Sequence, residues 1–483
     1  MRIVMVTPDI QIDRRILHEA EDLFAEGHEL ILLASGLSNQ PSYQWVGNVK
    51  MERLATDQAR YSRLENFMFS IQGRLIIVIN RLSTFAQRLI CGVAGLFNKL
   101  ALFMQRLVGG VATIINKVMT WIQRLVGGVA TIINKVMTWI ARATQRGFTF
   151  LAVLVNRTTG LSLRIIRKFS HLPAYERALL DRLVYYDPDI IHVHDLPVLR
   201  VGVAGKQKLR VPLIYDAHEF YPEIHSLTSK QSKNYHRLER RLLPQCNHVI
   251  TVNGFIAEEM ARQYKIPVPT VIWNAILPPS SFDPGKKSNR IRKELHIRAD
   301  RKILLYQGWF SPDRGLGNLV SAMSQVPEDI HLVLMGYGEF GETLNKIASD
   351  ARISDRVHFK KAVPQDELLF WTASADAGII PYPPLDLNTR YCSPNKLFEF
   401  IQAELPIIVN DLPFLRQVVA GEDFGVVMSL EQPEDFARAI TTMFDPSLGG
   451  PARFKQNLRA RKQGYQWDGQ SRKLLEVYQT VST

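Results

Sequence analysis

A short apolar run followed by a polar or glycine-bearing loop recurs along this chain, and that recurrence narrows the folds open to it. RIVMVTP, HELILLAS, DPDIIHVHD, VPLIYDAHE, HVITVN and TVIWN lie in the first 274 residues, and KILLYQG, HLVLMG, RVHFKK, AGIIPY and LPIIVND lie after residue 300. Continuous apolar runs of this length read as strands buried on both faces, the habit of parallel sheets. Helical patterns stand between them, as in Asp13 to Glu26, which Gly27 ends. Strand, helix, strand units of this kind build doubly wound α/β domains, whose ligands sit at the carboxyl ends of the strands. In the first unit that place is Pro8 to Arg14.

The runs fall into two groups separated by a polar, proline-containing stretch at 277–300, and 483 residues are too many for one ordinary core. We expect a first Rossmann-like domain over 1–275, a second over 276–465 and a closing helix over 466–483.

One segment breaks the pattern. From Asn66 to Ser170 there is no Asp or Glu, while fourteen of the 59 Lys and Arg residues fall there, leaving 45 basic against 46 acidic residues elsewhere. The formal net charge of +13 therefore belongs to this insertion alone. QRLVGGVATIINKVMTWI occurs unchanged at 105–122 and 123–140, after a weaker copy at 87–104. Eighteen residues make five helical turns at about 3.6 residues each, so every copy presents the same face. The cations from Arg74 to Arg142 step by 7 and 11 residues and form one narrow stripe on an apolar helix. An acid-free basic stripe on an apolar body is the pattern of a helix lying in an anionic membrane surface. Its uncharged runs are far below the roughly 20 residues a bilayer span needs. The bland alternative is an insertion that packs on itself or on a second subunit; nucleic acid suits the stripe less well, because few aromatic residues stand among its charges.

Three cysteines, Cys91, Cys246 and Cys392, lie far apart without CxxC spacing, which argues against a disulfide framework or a zinc site and for a reducing cytosol. The opening MRIVMVTPDI lacks the apolar core of an export signal. Asp187 and Asp189 invite a metal reading, but Asp-Pro-Asp before a strand is more often a turn.

The candidate chemistry sits at strand ends. His194, Asp195, His218 and Glu219 follow two of the first-domain strands and suit a polyhydroxy ligand and proton transfer. In the second domain GWFSPDRG (308–315) offers glycines and Arg314, and Gly336 ends another strand. SPNKLFEFIQAELPIIVND (393–411) is a loop, helix, strand unit whose helix start gathers free N–H groups for an anion, with Lys396 in its first turn and Glu399 placed to accept from hydroxyls.

PDIQIDRRILHEAEDLFAEGHEL, HVHD, YDAHE, QGWFSPDRG, SPNKLFEFIQAELPIIVND and YQWDGQSRKLLEVY together resemble the GT-B fold glycosyltransferases of family 4, in the same order and over nearly everything outside about 60–170. The resemblance implies a cleft between two Rossmann-like domains and a last helix that crosses back to the first. It implies catalytic roles for His194, Arg314 and Lys396. It assigns donor binding to Gly308, Arg314, Gly336, Ser393, Asn395, Lys396, Leu397 and Glu399, and acceptor binding to Asp13, Arg14, Asp195, His218 and Glu219. It also implies retention of anomeric configuration and no metal or other cofactor, the nucleotide-sugar being a substrate. Trp309 stands where the family usually has an arginine, and Tyr391 where it has the first glutamate of a paired-glutamate motif.

The expectation is a transferase moving a sugar from a nucleotide-sugar to a lipid, lipid-linked or polysaccharide acceptor. It would work in the cytoplasm, held to the inner membrane face by 66–170, with self-association through the insertion open and no nucleic-acid partner. The alternatives are a GT-B sugar-nucleotide epimerase and an inactive nucleotide-sugar-binding scaffold.

Overall fold

The computed structural model describes residues 1–37, 40–55, 172–286 and 288–482, with Lys135 standing alone between them. The basic, repeat-bearing insertion lies outside the described residues.

Each group of apolar runs forms its own sheet. The first holds β1 (Arg2–Thr7), β2 (Glu29–Gly36), β3 (Tyr43–Val46), β4 (Val49–Ala55), β5 (Ile190–His194), β6 (Leu213–Ala217), β7 (His248–Thr251) and β8 (Thr270–Val271), in the order β3-β4-β2-β1-β5-β6-β7-β8. All neighbours are parallel except the edge hairpin of β3 and β4, which closes through Gly47 at φ 57°. The sequence reading did not anticipate this hairpin, and it gave the last strand five residues where two pair.

The second sheet holds β9 (Lys302–Trp309), β10 (Ile330–Tyr337), β11 (Val357–Lys361), β12 (Ala377–Ile380), β13 (Ile407–Asn410) and β14 (Gly425–Met428), all parallel, in the order β11-β10-β9-β12-β13-β14. This is the doubly wound order, which leaves a crevice beside the first strand where the winding reverses.

Local chemistry sets the helix that leads into the first crevice. Asp13 caps helix Arg14–Ala25 by accepting from the Arg15 amide, and Gly27 at φ 82° turns the chain back into β2. Ile16, Ala20 and Leu23 bury its apolar face against β1 and β2. The final helix, Trp467–Ser482, packs on this same first sheet: Trp467, Leu474, Val477 and Tyr478 share a core with Ile3, Met5 and Leu32. Trp467 Nε1 donates to Asp22 at 2.5 Å, and the Trp273 amide donates to Gln470 at 2.9 Å.

The Asp187 and Asp189 pair is structural. Asp187 takes φ 46°, and Asp189 accepts from the Arg2 amide at 2.7 Å, fixing the start of β1.

Candidate active site

The carboxyl ends of the two sheets face one another across a cleft of about 790 Å³. Several side chains join its walls. Arg14 donates to Glu399 at 2.5 Å, Asn395 to Asp13 at 3.2 Å, Asn274 to the Ser393 carbonyl at 2.9 Å, and Tyr337 to Gln11 at 3.3 Å.

The second-domain wall is built for an anion. Helix Asn395–Gln402 begins at Pro394 with no side-chain cap, so its first N–H groups open onto the cleft. Lys396 projects from its first turn. Its ammonium donates to the Tyr382 hydroxyl at 2.7 Å and lies 4.2 Å from the centre of the Tyr306 ring. Burial lowers its pKa below the usual lysine value, partly offset by Tyr382. Arg314 lies over the same Tyr382 ring at 4.4 Å. Two cations thus share one aromatic floor; Arg314 lies 3.5 Å from Asp313, while among the described residues Lys396 makes no ion pair.

Glycines keep that floor open. A Cβ on Gly308 (φ 127°) would stand 3.1 Å from Lys396 Nζ, and one on Gly336 (φ 157°) would collide with the Gly308 carbonyl oxygen at 1.9 Å. Gly315 (φ 72°) packs against the Pro381 carbonyl, which a Cβ would meet at 2.5 Å, and so seats the turn carrying Arg314.

On the first-domain wall two histidines reach the cleft, His225 and His218, the latter one residue beyond β6. The His218 amide donates to Asp195 at 3.0 Å, and its Nε2 lies 3.5 Å from Asp216 and 3.2 Å from His194 Nδ1. Burial opposes its charge, but the Asp216 and Asp195 carboxylates overcome this and push it up to about 10. It therefore faces the cleft as an imidazolium. Glu219 beside it is raised by burial.

Of the residues expected at the site, Asp13, Arg14, His218, Glu219, Gly308, Arg314, Gly336, Ser393, Asn395, Lys396 and Glu399 line the cleft. Three do not. His194, the last residue of β5, is fully buried behind His218; Asp195 serves the loop that holds His218; and Leu397 is core. Glu399, expected to accept from sugar hydroxyls, here accepts from Arg14 and, at 2.5 Å, from Gln307. Tyr391 stacks on Phe255 at 5.8 Å, and its carbonyl accepts from Asn253, so it joins the two sheets' loops. Sequence reasoning missed Tyr306, Gln307, Trp309's neighbour Tyr337, and Tyr382.

Behind the cleft, Glu19, His192, His194 and Asp216 bring one ligand-type atom each within 4.8 Å of one another, all buried. Two protein cations already serve this group. Arg15 donates to both carboxylates, and His218 faces Asp216. Burial, followed by Asp216, pushes Glu19 up to about 8, while burial brings His192 down to about 3. Arg15 and His218 thus bring positive charge to the two carboxylates, while Glu19 Oε2, His192 Nε2, His194 Nε2 and Asp216 Oδ1 are each buried without a hydrogen-bond partner among the described residues.

Residues 131–277 match the family profile described as Glycosyltransferase Family 4, and residues 287–467 match Glycosyl transferases group 1. The chain is a GT-B glycosyltransferase of family 4, group 1. Among its relatives, this glycosyltransferase is 25% identical over 303 residues to an uncharacterized glycosyltransferase of Methanocaldococcus jannaschii, covering 60% of this chain and 75% of that protein. Its fold is similar to sucrose-phosphate synthase from Thermosynechococcus elongatus, with a TM-score of 0.63 at 16% identity over 99% and 98% of the two chains. It is also similar to Anabaena HepE, solved in complex with UDP-glucose, with a TM-score of 0.59 at 12% identity over 99% of this glycosyltransferase and 100% of that chain.

Proposed function

We propose that this glycosyltransferase moves a sugar, with retention, from a nucleoside diphosphate sugar to a lipid, lipid-linked or polysaccharide acceptor at the inner face of the cell membrane. The observation that carries the donor half is the pair Lys396 and Arg314 on their Tyr306 and Tyr382 floor, beneath a glycine-cleared opening. Cleavage of the sugar–phosphate bond leaves its electron pair on the diphosphate. Two fixed cations and a helix start in a partly dried cleft stabilise that charge as it develops. They stand where a metal would otherwise serve, so no metal is expected. The His218 imidazolium on the facing wall is positioned to hold the transferred sugar or an acidic acceptor group.

The membrane half rests on the acid-free basic stripe of the insertion. Tyr43, Trp45 and Tyr185 are exposed on β3 and on helix Ala174–Tyr186, with Lys50 and Arg182 among them, and this aromatic and basic composition suits a headgroup layer.

A thermal-shift screen of the full chain against UDP, GDP and ADP with their hexose conjugates tests the donor half, since binding to the native state raises the midpoint. A stabilising base, with donor hydrolysis lost in Lys396→Ala and Arg314→Ala, is the expected result; no shift for any favours the scaffold. Pelleting with anionic but not zwitterionic vesicles, reduced at high salt, is expected of the full chain. Failure to pellet with anionic vesicles ends the membrane half, and proton NMR of the first-formed product decides retention.

A further inference from the structure

The cleft carries two large aromatic side chains that the account of phosphate binding leaves unused. Trp309 and Tyr337 are the last residues of β9 and β10 and are paired in register. They are 47% and 50% exposed, and their rings lie 4.9 Å apart at 81°, making an open corner in the cleft wall. Both are held in place. The Tyr306 hydroxyl donates to the Trp309 carbonyl at 2.8 Å, and the Tyr337 hydroxyl donates to Gln11 on the facing wall at 3.3 Å. Leaving two large rings half in water forgoes burial that a turn of smaller residues would not need.

We propose that Trp309 and Tyr337 form a stacking corner for the sugar ring carried on the donor diphosphate. The assignment rests on the donor reading of the cleft given above. Its geometry starts from Gly308 and Gly336, which immediately precede Trp309 and Tyr337 in their strands and are themselves register partners. The bare face of Gly308 stands against Lys396 Nζ, and Trp309 follows at the next Cα, about 3.8 Å on. A diphosphate neutralised by Lys396 and Arg314 therefore brings the group bonded to its terminal phosphate beside Trp309. In a nucleotide-sugar that group is the sugar ring, whereas the base is separated from this phosphate by the ribose and the other phosphate. The chemistry also matches: a pyranose presents C–H groups on its flat faces, and an aromatic ring presents a negative π face to them. Trp309 brings an indole to the position where the family it resembles has a cation, so this corner can hold a ring but adds no charge to the phosphates.

Isothermal titration calorimetry on the full chain separates the terms. The probes are UDP with UDP-glucose, GDP with GDP-mannose, and ADP with ADP-glucose, used as matched pairs. We expect Trp309→Ala to weaken the sugar conjugate about tenfold while the free diphosphate stays within about twofold, with Tyr337→Ala smaller in the same direction. Trp309→Phe, which keeps a ring, should recover most of the loss. Because Trp309 is half exposed, the variants should melt with wild type, which the same samples can show. Equal weakening of diphosphate and conjugate would place Trp309 in the phosphate site and overturn the assignment, as would unchanged affinity for both. Failure of wild type to bind any free diphosphate would instead sink the donor reading itself.

Discussion

The Lys396 ammonium donates to the Tyr382 hydroxyl at 2.7 Å and lies 4.7 Å from the centre of the same ring, while the Arg314 guanidinium lies over that ring at 4.4 Å. Tyr382 therefore positions both cations of the anion site. Tyr382→Phe keeps the ring and removes the hydroxyl, so it should weaken diphosphate binding modestly, about three- to tenfold, whereas Lys396→Ala should cost about a hundredfold. Calorimetry with the preferred nucleoside diphosphate makes the comparison. An unchanged affinity in Tyr382→Phe would remove Tyr382 from the site.

Arg14 and Glu399 meet across the cleft with side chains only 15% and 8% exposed. Removing one partner strands the other in a place that water reaches poorly. A double-mutant cycle with Arg14→Met and Glu399→Gln, read by urea unfolding, should give a coupling of about 1–3 kcal/mol. A coupling near zero would mean that the bridge does not hold the walls together in solution.

The charge on His218 ties stability to pH. Its folded pKa of about 10 lies above its ordinary value of 6.5, so the folded state holds the proton more tightly than the unfolded chain. The stabilisation is complete below about pH 6.5 and is lost as pH rises through 10. The melting-temperature gap between wild type and His218→Gln should therefore be widest at pH 6 and close towards pH 10. A gap that widens with rising pH would reverse the assignment of charge.

Two glycines should respond in opposite ways to the same methyl. Gly336→Ala would place its Cβ 1.9 Å from the Gly308 oxygen at a φ of 157°, and should destabilise by about 3 kcal/mol or more or abolish folding. Gly469, in the final helix, has nothing within 4 Å of a Cβ, so Gly469→Ala should stabilise by about 0.5–1 kcal/mol. Chemical denaturation of both variants provides the contrast.

All strands of the two sheets but β3, β4 and β14, and the helix starts at Asp13 and Pro394, were legible because buried parallel strands and caps are written in local sequence. Which histidine faces the ligand was not. His194 and His218 both close apolar runs, but β5 ends at His194 while β6 ends one residue before His218, and that one-residue difference decides which ring emerges above the sheet. Tyr382 and Gln307 were also silent, since their partners lie 14 and 92 residues away and meet them only through the order of the strands. The hairpin of β3 and β4 gave a weak signal because its Val-Gly-Asn-Val turn sits in a polar stretch without strong alternation.

The closing helix Trp467–Ser482 carries Tyr478, whose hydroxyl lies 2.9 Å from His192 Nδ1 in the interior of the first sheet. On the ribosome, that sheet would lack one of its walls until the residues from Trp467 to Tyr478 had emerged. Its apolar underside, including Ile3, Met5 and Leu32, would wait uncovered while the second domain was synthesised. A released chain truncated before residue 467 should thus present a sticky, chaperone-binding first domain beside a second domain whose core residues, up to Tyr465, are all present.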